Sequence, residues 1–402
     1  MVNVTHTEEL RKAISLMIVA LLVRTAGGWL LGEGAVFGPD GTGAEAAVYL
    51  GGHPYPLHIA MLRMFGGDAQ NLSVLAGSFN CVLLWFWGRR VGLGGAGGWL
   101  AAAFPLSVLP GTLAAGDAPA LSVVLLGAVL ATYPGIFRVL GGALAGICVM
   151  VKPIALPALV LLIARPMSLL GAAGSLMTFN QFIRPIWAPM PDGGILGTWW
   201  VSSQGQPPDN LLVWFVDGVS HLVHAELWAL LWVLPFAMLC FFRVSDHRIR
   251  VASIGPLFAA TVVAALFGDR LELRYLSSAV VVALPFLGAV FTRSLVLWGT
   301  TVALIWPTAA LMTQIAHMRM AMDPDALIPD VPMVSHPSVD ARIIFDACST
   351  EGATRLRQMA FQLAETAPQG VTIVTDARPD GREGELFWPL MVLRPDLKVQ
   401  VR

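Results

Sequence analysis

The feature that most constrains this chain is a succession of apolar runs, each long enough to cross a membrane as a helix. The hydrocarbon core of a bilayer is roughly 30 Å thick, and an α-helix needs about 20 residues to cross it. Hydrophobic residues make up 56% of the sequence and charged residues only 13%, whereas soluble domains carry about 25% charged residues. The sequence therefore predicts an integral membrane protein, surrounded by membrane lipids.

The apolar runs predict eleven spans, at residues 13–32, 71–88, 94–114, 117–133, 136–151, 153–164, 167–187, 221–242, 250–268, 275–292 and 295–315. The run at 153–164 is short and interrupted by proline, so ten spans are the alternative. The first run could also be a signal peptide, because Arg11 and Lys12 precede it. We interpret it as a helix, since the GGWLLGEG sequence that ends it lacks a small-x-small cleavage site.

If the spans alternate, the basic residues between them fall on one face of the membrane. Loops rich in Lys and Arg face the cytoplasm, and the residues on that face are Arg11, Lys12, Arg89, Arg90, Arg138, Arg165, Arg243, His247, Arg248, Arg250 and Arg293. The N-terminus is therefore predicted to be cytoplasmic. The abundance of Gly, Ala and Arg is compatible with a GC-rich bacterium, so the predicted location is a bacterial inner membrane with a periplasmic outer face.

The predicted membrane domain covers residues 1–316, with outer loops at 33–70 and 188–220, and a Pro-rich linker follows at 317–340. In residues 341–402, the segments ARIIFDA, GVTIVTDA and LKVQV are typical of strands, and EGATRLRQMAFQLAETA is typical of an amphipathic helix. The predicted fold class is thus an all-α polytopic membrane protein of about 11 helices with a small C-terminal α/β module. That module is predicted to be periplasmic.

Two classes of function are disfavoured by the sequence. The formal net charge is −1, so no basic surface for nucleic acid is expected. A transporter or flippase would show repeat symmetry and paired interrupted helices near mid-membrane, and neither pattern is present in the sequence.

The first predicted outer loop collects polar and turn-forming residues in the stretch FGPDGTGAEAAVYLGGHPYPLHIAMLRMFGG. Asp40 lies in a Gly-rich turn, Glu45 lies in a short helical segment, and His53 and His58 flank a Pro-rich break before a second one. Such segments are too short to span a bilayer and amphipathic enough to lie along its interface. Two interpretations stay open, since the acids either solvate a loop or line a cavity.

Three more ionisable residues lie at predicted outer ends of spans. They are Asp117 in LAAGDAPALS, Lys152 in GICVMVKPIALP and Arg274 in GDRLELRYLSSA. Asp117 has an alternative role as a helix N-cap, and Lys152 as a lysine that snorkels to the interface. Ionisable side chains at membrane depth are costly, however, and usually line an aqueous cavity or bind a charged ligand.

The order of these motifs resembles the GT-C superfamily of integral membrane glycosyltransferases, and within it the protein-mannosyltransferase and aminoarabinose-transferase branch. The motifs are the first-loop acid, the HP and YP break, GDAP, KP and a late RY, and they cover about residues 10 to 315. The resemblance implies transfer of a sugar from a polyprenyl-phosphate carrier to a lipid, glycan or protein acceptor on the outer face.

The resemblance also implies roles for individual residues. Asp40 matches the catalytic acid of the first loop, and Asp117 matches a later acid that shapes the sugar or acceptor site. Lys152 and Arg274 match basic positions that hold the donor phosphate. A carboxylate can deprotonate the acceptor while the sugar develops oxocarbenium character, and basic side chains stabilise the phosphate leaving group.

One position departs from the protein-mannosyltransferase pattern, because Gly41 follows Asp40 where those enzymes carry a glutamate. Glu45 is the candidate substitute, as a third catalytic residue. The alternative function is therefore a catalytically inactive GT-C-like scaffold or an accessory subunit of a membrane complex. His53 and His58 are candidate hydrogen-bond or proton donors to the phosphate, with a structural role beside proline as the alternative.

No cofactor is expected. The acidic residues and His53 could supply oxygen and nitrogen ligands to a divalent metal ion, but they are separated by long stretches of chain and have no diagnostic spacing. An obligatory metal is therefore not predicted.

Overall fold

The computed structural model describes most of the predicted membrane domain and part of the tail. The described residues are 2–32, 56–66, 68–113, 116–183, 231–267, 273–290 and 294–321, and in the tail 358, 362–375, 394 and 396–401. Four helical stretches among them are long and apolar enough to cross a membrane: Thr7–Leu31, Ala69–Arg90, His247–Ala265 and Val296–His317. Several shorter apolar helices accompany them. The chain is a polytopic membrane protein.

The first half of the described chain contains eight α-helices. They are α1 (Val2–Leu31), α2 (Pro56–Met64), α3 (Ala69–Arg90), α4 (Ala96–Ala103), α5 (Pro105–Val108), α6 (Asp117–Leu130), α7 (Phe137–Gly146) and α8 (Met167–Thr178). Three 3-10 segments separate some of them, at Leu109–Gly111, Ile147–Met150 and Pro153–Ala164, and a π-helical turn follows α8 at Phe179–Ile183. The short helix α2 lies where the sequence predicts an interfacial helix after the Pro-rich break.

The second half continues with α9 (Val233–Met238), α10 (Cys240–Arg243), α11 (His247–Phe267), α12 (Leu273–Val290) and α13 (Ser294–Ala321). The helix α3 lies in the interior of the bundle, because 78% of its 18-residue apolar stretch is buried. Only 22% of the corresponding stretch of α13 is buried. The helix α13 is therefore peripheral, and most of this stretch is not buried.

The predicted span at 94–114 is broken between α4 and α5. Phe104 is extended, with φ −73° and ψ 128°, and Pro105 begins the next helix. Because Pro105 has no N–H, the carbonyl group of Ala101 has no helical partner. Thr308 of α13 donates its hydroxyl to the Ala103 carbonyl oxygen at 2.7 Å. The break is thus tolerated because neighbouring helices satisfy its backbone.

The short predicted span at 153–164 is a 3-10 helix along its whole length, with Pro157 inside it. A 3-10 helix rises about 2.0 Å per residue, so twelve residues extend about 24 Å instead of the roughly 18 Å of an α-helix. The stretched geometry gives this short run a length close to the roughly 30 Å thickness of a bilayer core.

The described part of the tail contains two short strands, β1 (Thr372–Thr375) and β2 (Lys398–Val401), which pair in parallel. Both lie where the sequence predicts strands, and residues 362–366 are helical within the predicted helix. The predicted strand ARIIFDA and the predicted linker lie outside the described residues, so the separate α/β module stays a prediction. Asp396 accepts hydrogen bonds from Arg394 and from the backbone of Gly370, and these bonds hold the pKa of its carboxyl well below the ordinary range.

Candidate active site

Two of the residues singled out from the sequence, Asp117 and Lys152, form a buried ion pair. The Lys152 Nζ atom donates to Asp117 Oδ2 at 3.0 Å, and the side chains are only 7% and 3% exposed. Such a pair is costly to remove from water, so it persists only where the geometry is good. The second carboxylate oxygen, Asp117 Oδ1, is buried and accepts no hydrogen bond from the described residues.

The local structure explains how each partner reaches the pair. Asp117 is the first residue of α6, and the N-cap position is taken by Gly116. Its carboxylate is therefore directed to Lys152 instead of capping the helix. Lys152 is extended, with φ −169° and ψ 130°, because the following Pro153 disfavours helical geometry. The lysine does not snorkel, since its ammonium group ends on a carboxylate inside the bundle.

His58 completes the described cluster. It is 7% exposed, and its ring lies against Gly116, where an added Cβ would be 3.1 Å from His58 Cε1 and 3.4 Å from Lys152 Cδ. A side chain at this position would require the imidazole to shift by a few tenths of an ångström. Burial, together with the nearby Lys152 charge, lowers the pKa of His58 to about 3. The imidazole is therefore neutral at physiological pH and can take part in hydrogen bonds without carrying a charge.

The segment that follows Lys152 is attached to α12. Ser278 of α12 donates its hydroxyl to the carbonyl oxygen of Ile154 at 2.9 Å. Arg274 lies one turn earlier in the same helix, although its side chain is outside the described residues. The backbone near Arg274 is thereby held next to the chain that carries Lys152.

A pair of polar side chains joins α3 to the start of α6. Asn80 donates through Nδ2 to the Ala118 carbonyl oxygen at 3.0 Å, and the Ser122 hydroxyl lies 2.7 Å from Asn80 Oδ1. This bridge anchors the first turn of α6, which begins with Asp117. Sequence reasoning missed it, because isolated Asn and Ser residues inside apolar runs carry no motif.

Other residues predicted for the site lie outside the described part of the chain. They are Asp40, Glu45 and His53 in the first outer loop. Among the residues that the structure does describe, no group of three or more His, Cys, Asp or Glu side chains is arranged to hold a metal ion. Since the first-loop candidates are not described, the expectation that no metal is obligatory stays a prediction.

Comparison with known proteins gives one informative match. No family model matches the chain, and neither does any curated protein. Among solved structures, the chain is similar to the crystal structure of ArnT from Cupriavidus metallidurans bound to undecaprenyl phosphate, at a TM-score of 0.50 and 15% sequence identity. The match covers 96% of this chain and 85% of that one.

The chain has an ArnT-like fold. At 15% identity this likeness concerns the fold alone, and membership of the GT-C superfamily remains a proposal.

Proposed function

We propose that this protein is a glycosyltransferase that moves a sugar from a polyprenyl-phosphate carrier to an acceptor at the outer, periplasmic face of a bacterial inner membrane. The observation that carries the proposal is the buried pair of Lys152 and Asp117 in a chain with an ArnT-like fold. The ArnT structure is bound to undecaprenyl phosphate, a lipid of the class that the proposed donor would carry.

In this proposal, Lys152 binds the phosphate of the donor. A phosphate monoester gathers negative charge as it leaves the sugar, and an ammonium group in a site of low dielectric stabilises that charge strongly. Asp117 balances the charge of Lys152 while the site is empty. When the phosphate is bound, the carboxylate is released to a polar group of the sugar or of the acceptor.

Arg274 is proposed as the second phosphate ligand. The bond between Ser278 and Ile154 joins the N-terminal part of α12 to the segment after Lys152, and this attachment supports convergence of the two basic residues. An arginine can donate to two phosphate oxygens at once, so it would orient the leaving group as well as stabilise it. His58, neutral in the folded protein, is proposed to donate a hydrogen bond to the same group, and His53 is a further candidate.

Asp40 is proposed as the general base, with Glu45 orienting the acceptor. The acceptor hydroxyl or amine attacks the anomeric carbon, the bond from that carbon to the phosphate oxygen breaks, and the polyprenyl phosphate leaves with the bonding electrons. Asp40 takes the proton of the acceptor in this step. The acceptor is a lipid, a glycan or a protein, and no obligatory metal enters the proposal.

The test separates donor binding from turnover. Binding of undecaprenyl phosphate to the purified protein is measured for Lys152→Met and for Lys152→Arg, with Lys12→Met as the matched control, since Lys12 forms an exposed pair with Glu8. Loss of a charged hydrogen bond costs about 1.5–3 kcal/mol, so binding is expected to weaken by roughly ten- to a hundredfold in Lys152→Met. Lys12→Met should bind like the wild type.

Turnover is measured with polyprenyl-phosphate sugars from a lipid extract. Asp40→Asn should lower the rate by about 10²-fold or more, the usual scale of general-base catalysis, while leaving donor binding intact. Full activity of Asp40→Asn would exclude it as the base. Absence of transfer by the wild type with every such donor would favour the inactive scaffold.

A further inference from the structure

A buried arginine in α1 makes a set of hydrogen bonds that the candidate active site does not include. Arg24 is 0% exposed, and its Nη2 atom donates to the Ser107 carbonyl oxygen at 3.2 Å, to Ser107 Oγ at 3.0 Å and to the Ala101 carbonyl oxygen at 3.3 Å. Nη1 donates to the Ala20 carbonyl oxygen at 3.3 Å. No carboxylate in the described part of the chain pairs with this side chain.

A guanidinium group does not lose its proton in a protein, so Arg24 carries its charge inside the bundle. Ionisable side chains in membrane segments are costly and usually have a specific role. Here the charge is held by the Ser107 hydroxyl and by three carbonyl dipoles. Two of them lie on opposite sides of the break at Pro105, and the carbonyl of Ala101 is the one that the proline leaves without a helical partner.

The space around Arg24 is built for this side chain. It lies between Gly77 of α3 and Gly111, where an added Cβ would be 2.8 Å and 2.6 Å, respectively, from Arg24 Nε. At Gly77 the same Cβ would also be 2.7 Å from the Gly111 Cα atom. Three chain segments therefore meet at the guanidinium group, and larger residues at either glycine would push them apart.

The break that Arg24 holds leads directly to the candidate active site. The chain runs from Ser107 through the 3-10 turn at Leu109–Gly111 to Asp117. Gln70 of α3 donates to the Thr112 carbonyl oxygen at 3.1 Å, and Asn80 anchors the first turn of α6 as described above. The backbone before Asp117 is thus attached to α1 and α3 at successive points.

We propose that Arg24 is a positioning residue, which sets the place of Asp117 relative to Lys152 by holding the α4–α5 break against α1. Its importance for sugar transfer rests on the proposed function. A guanidinium is suited to this role because it stays charged when it is buried, whereas the ammonium group of a buried lysine readily loses its proton.

The test measures how strongly Asp117 and Lys152 are coupled, with and without Arg24. The coupling is obtained from unfolding equilibria of Asp117→Asn, Lys152→Met and the double variant, in the full chain and in the Arg24→Lys and Arg24→Gln backgrounds. The coupling constant is the factor by which the double variant's unfolding equilibrium constant departs from the product of the two single effects. We expect this factor to fall at least tenfold in both backgrounds. The matched control is Arg243→Gln, since Arg243 also donates to a carbonyl oxygen of another helix, that of Val290, at 2.9 Å, and its coupling should be that of the wild type.

A general stabilising role predicts a different result. Lower overall stability with the coupling unchanged within twofold would overturn the inference. If neither Arg24 variant folds, the same test uses Ser107→Ala, which removes one acceptor of Nη2. We expect a smaller loss of coupling in this variant. An unchanged coupling would overturn the inference.

The same variants separate this inference from the proposed function. Loss of coupling without sugar transfer in any variant, the wild type included, would support the positioning role and overturn the proposed function. If transfer is found, Arg24→Lys should raise the KM for the donor more than it lowers kcat, because the altered pair binds the donor phosphate. If Arg24→Lys transfers sugar with the wild-type KM and with unchanged coupling, the positioning role is overturned and the proposed function is not.

Discussion

The buried pair of Asp117 and Lys152 makes a quantitative prediction about stability. In Lys152→Met, the Asp117 carboxylate stays inside the bundle without its counter-ion, and its Oδ1 atom already has no described hydrogen-bond partner. Removing one partner of a buried ion pair costs about 3–5 kcal/mol. In Asp117→Asn, the amide oxygen can still accept a hydrogen bond from Lys152, although the ammonium group loses its counter-charge, so the cost should be smaller, about 1.5–3 kcal/mol.

The double variant Asp117→Asn/Lys152→Met removes both charges and should be more stable than the sum of the single costs implies. Residues in contact show interaction energies of about 0.5–3 kcal/mol, whereas independent sites add within about 0.3–0.5 kcal/mol. For a pair whose side chains are 7% and 3% exposed, we expect an interaction energy of about 2 kcal/mol or more, near the upper end of the range for residues in contact. The assay is reversible unfolding in mixed micelles with increasing SDS, followed by the fluorescence of the 13 tryptophans.

The matched control is the pair of Glu8 and Lys12 in α1, whose side chains are 62% and 53% exposed. A cycle of Glu8→Gln and Lys12→Met should give only about 0.3–0.5 kcal/mol, as usual for exposed helix pairs. If the effects of Asp117→Asn and Lys152→Met on the free energy of unfolding add to within the same small margin, the two residues are not paired in the folded protein. The description of the site and the role given to Asp117 would then both be wrong.

Three further predictions follow from the site and from the topology. Because the folded pKa of His58 is about 3 and its ordinary value is 6.5, the stability due to its neutral form should be lost as pH falls below 6.5, by at most about 1.4 kcal/mol per pH unit. His58→Asn should lack this part of the pH dependence. Gly116→Ala should lower stability by about 1–3 kcal/mol through overpacking against the imidazole, as measured by the same unfolding assay, whereas Gly174→Ala, which meets no neighbour, should not. Reporter fusions at residues 246 and 380 should lie on opposite sides of the membrane, and fusions on the same side would refute the proposed topology.

Local patterns in the sequence determined the class of the fold. Helices were predicted from the length of apolar runs, and wherever the predicted spans fall on described residues they overlap helical structure. The strands at Thr372–Thr375 and Lys398–Val401 were also predicted, because alternating apolar residues report strand geometry locally. These features could be predicted because each depends on residues that are neighbours in the chain.

For the site, the sequence identified Asp117 and Lys152 as costly residues at predicted membrane ends, but it left an N-cap and a snorkelling lysine open as explanations. The 3.0 Å contact between them depends on how α6 packs against the segment after Cys148, and no local pattern encodes that distance. Even so, the type of residue and its predicted depth in the membrane were sufficient to single out two residues that the structure pairs, and their role in sugar transfer stays a proposal.

Arg24 shows what only the tertiary structure decided. As a single arginine in a long apolar run it was visible in the sequence, yet its partners are one serine hydroxyl and backbone carbonyl groups, which every residue carries. The break at Pro105, the space at Gly77 and Gly111 and the guanidinium group come together only when α1, α3 and α4 pack. Sequence therefore determined which segments are apolar enough to enter a membrane, because that depends on local hydrophobicity. Packing decided which buried polar groups meet, because a buried group must find its partner wherever the fold places one.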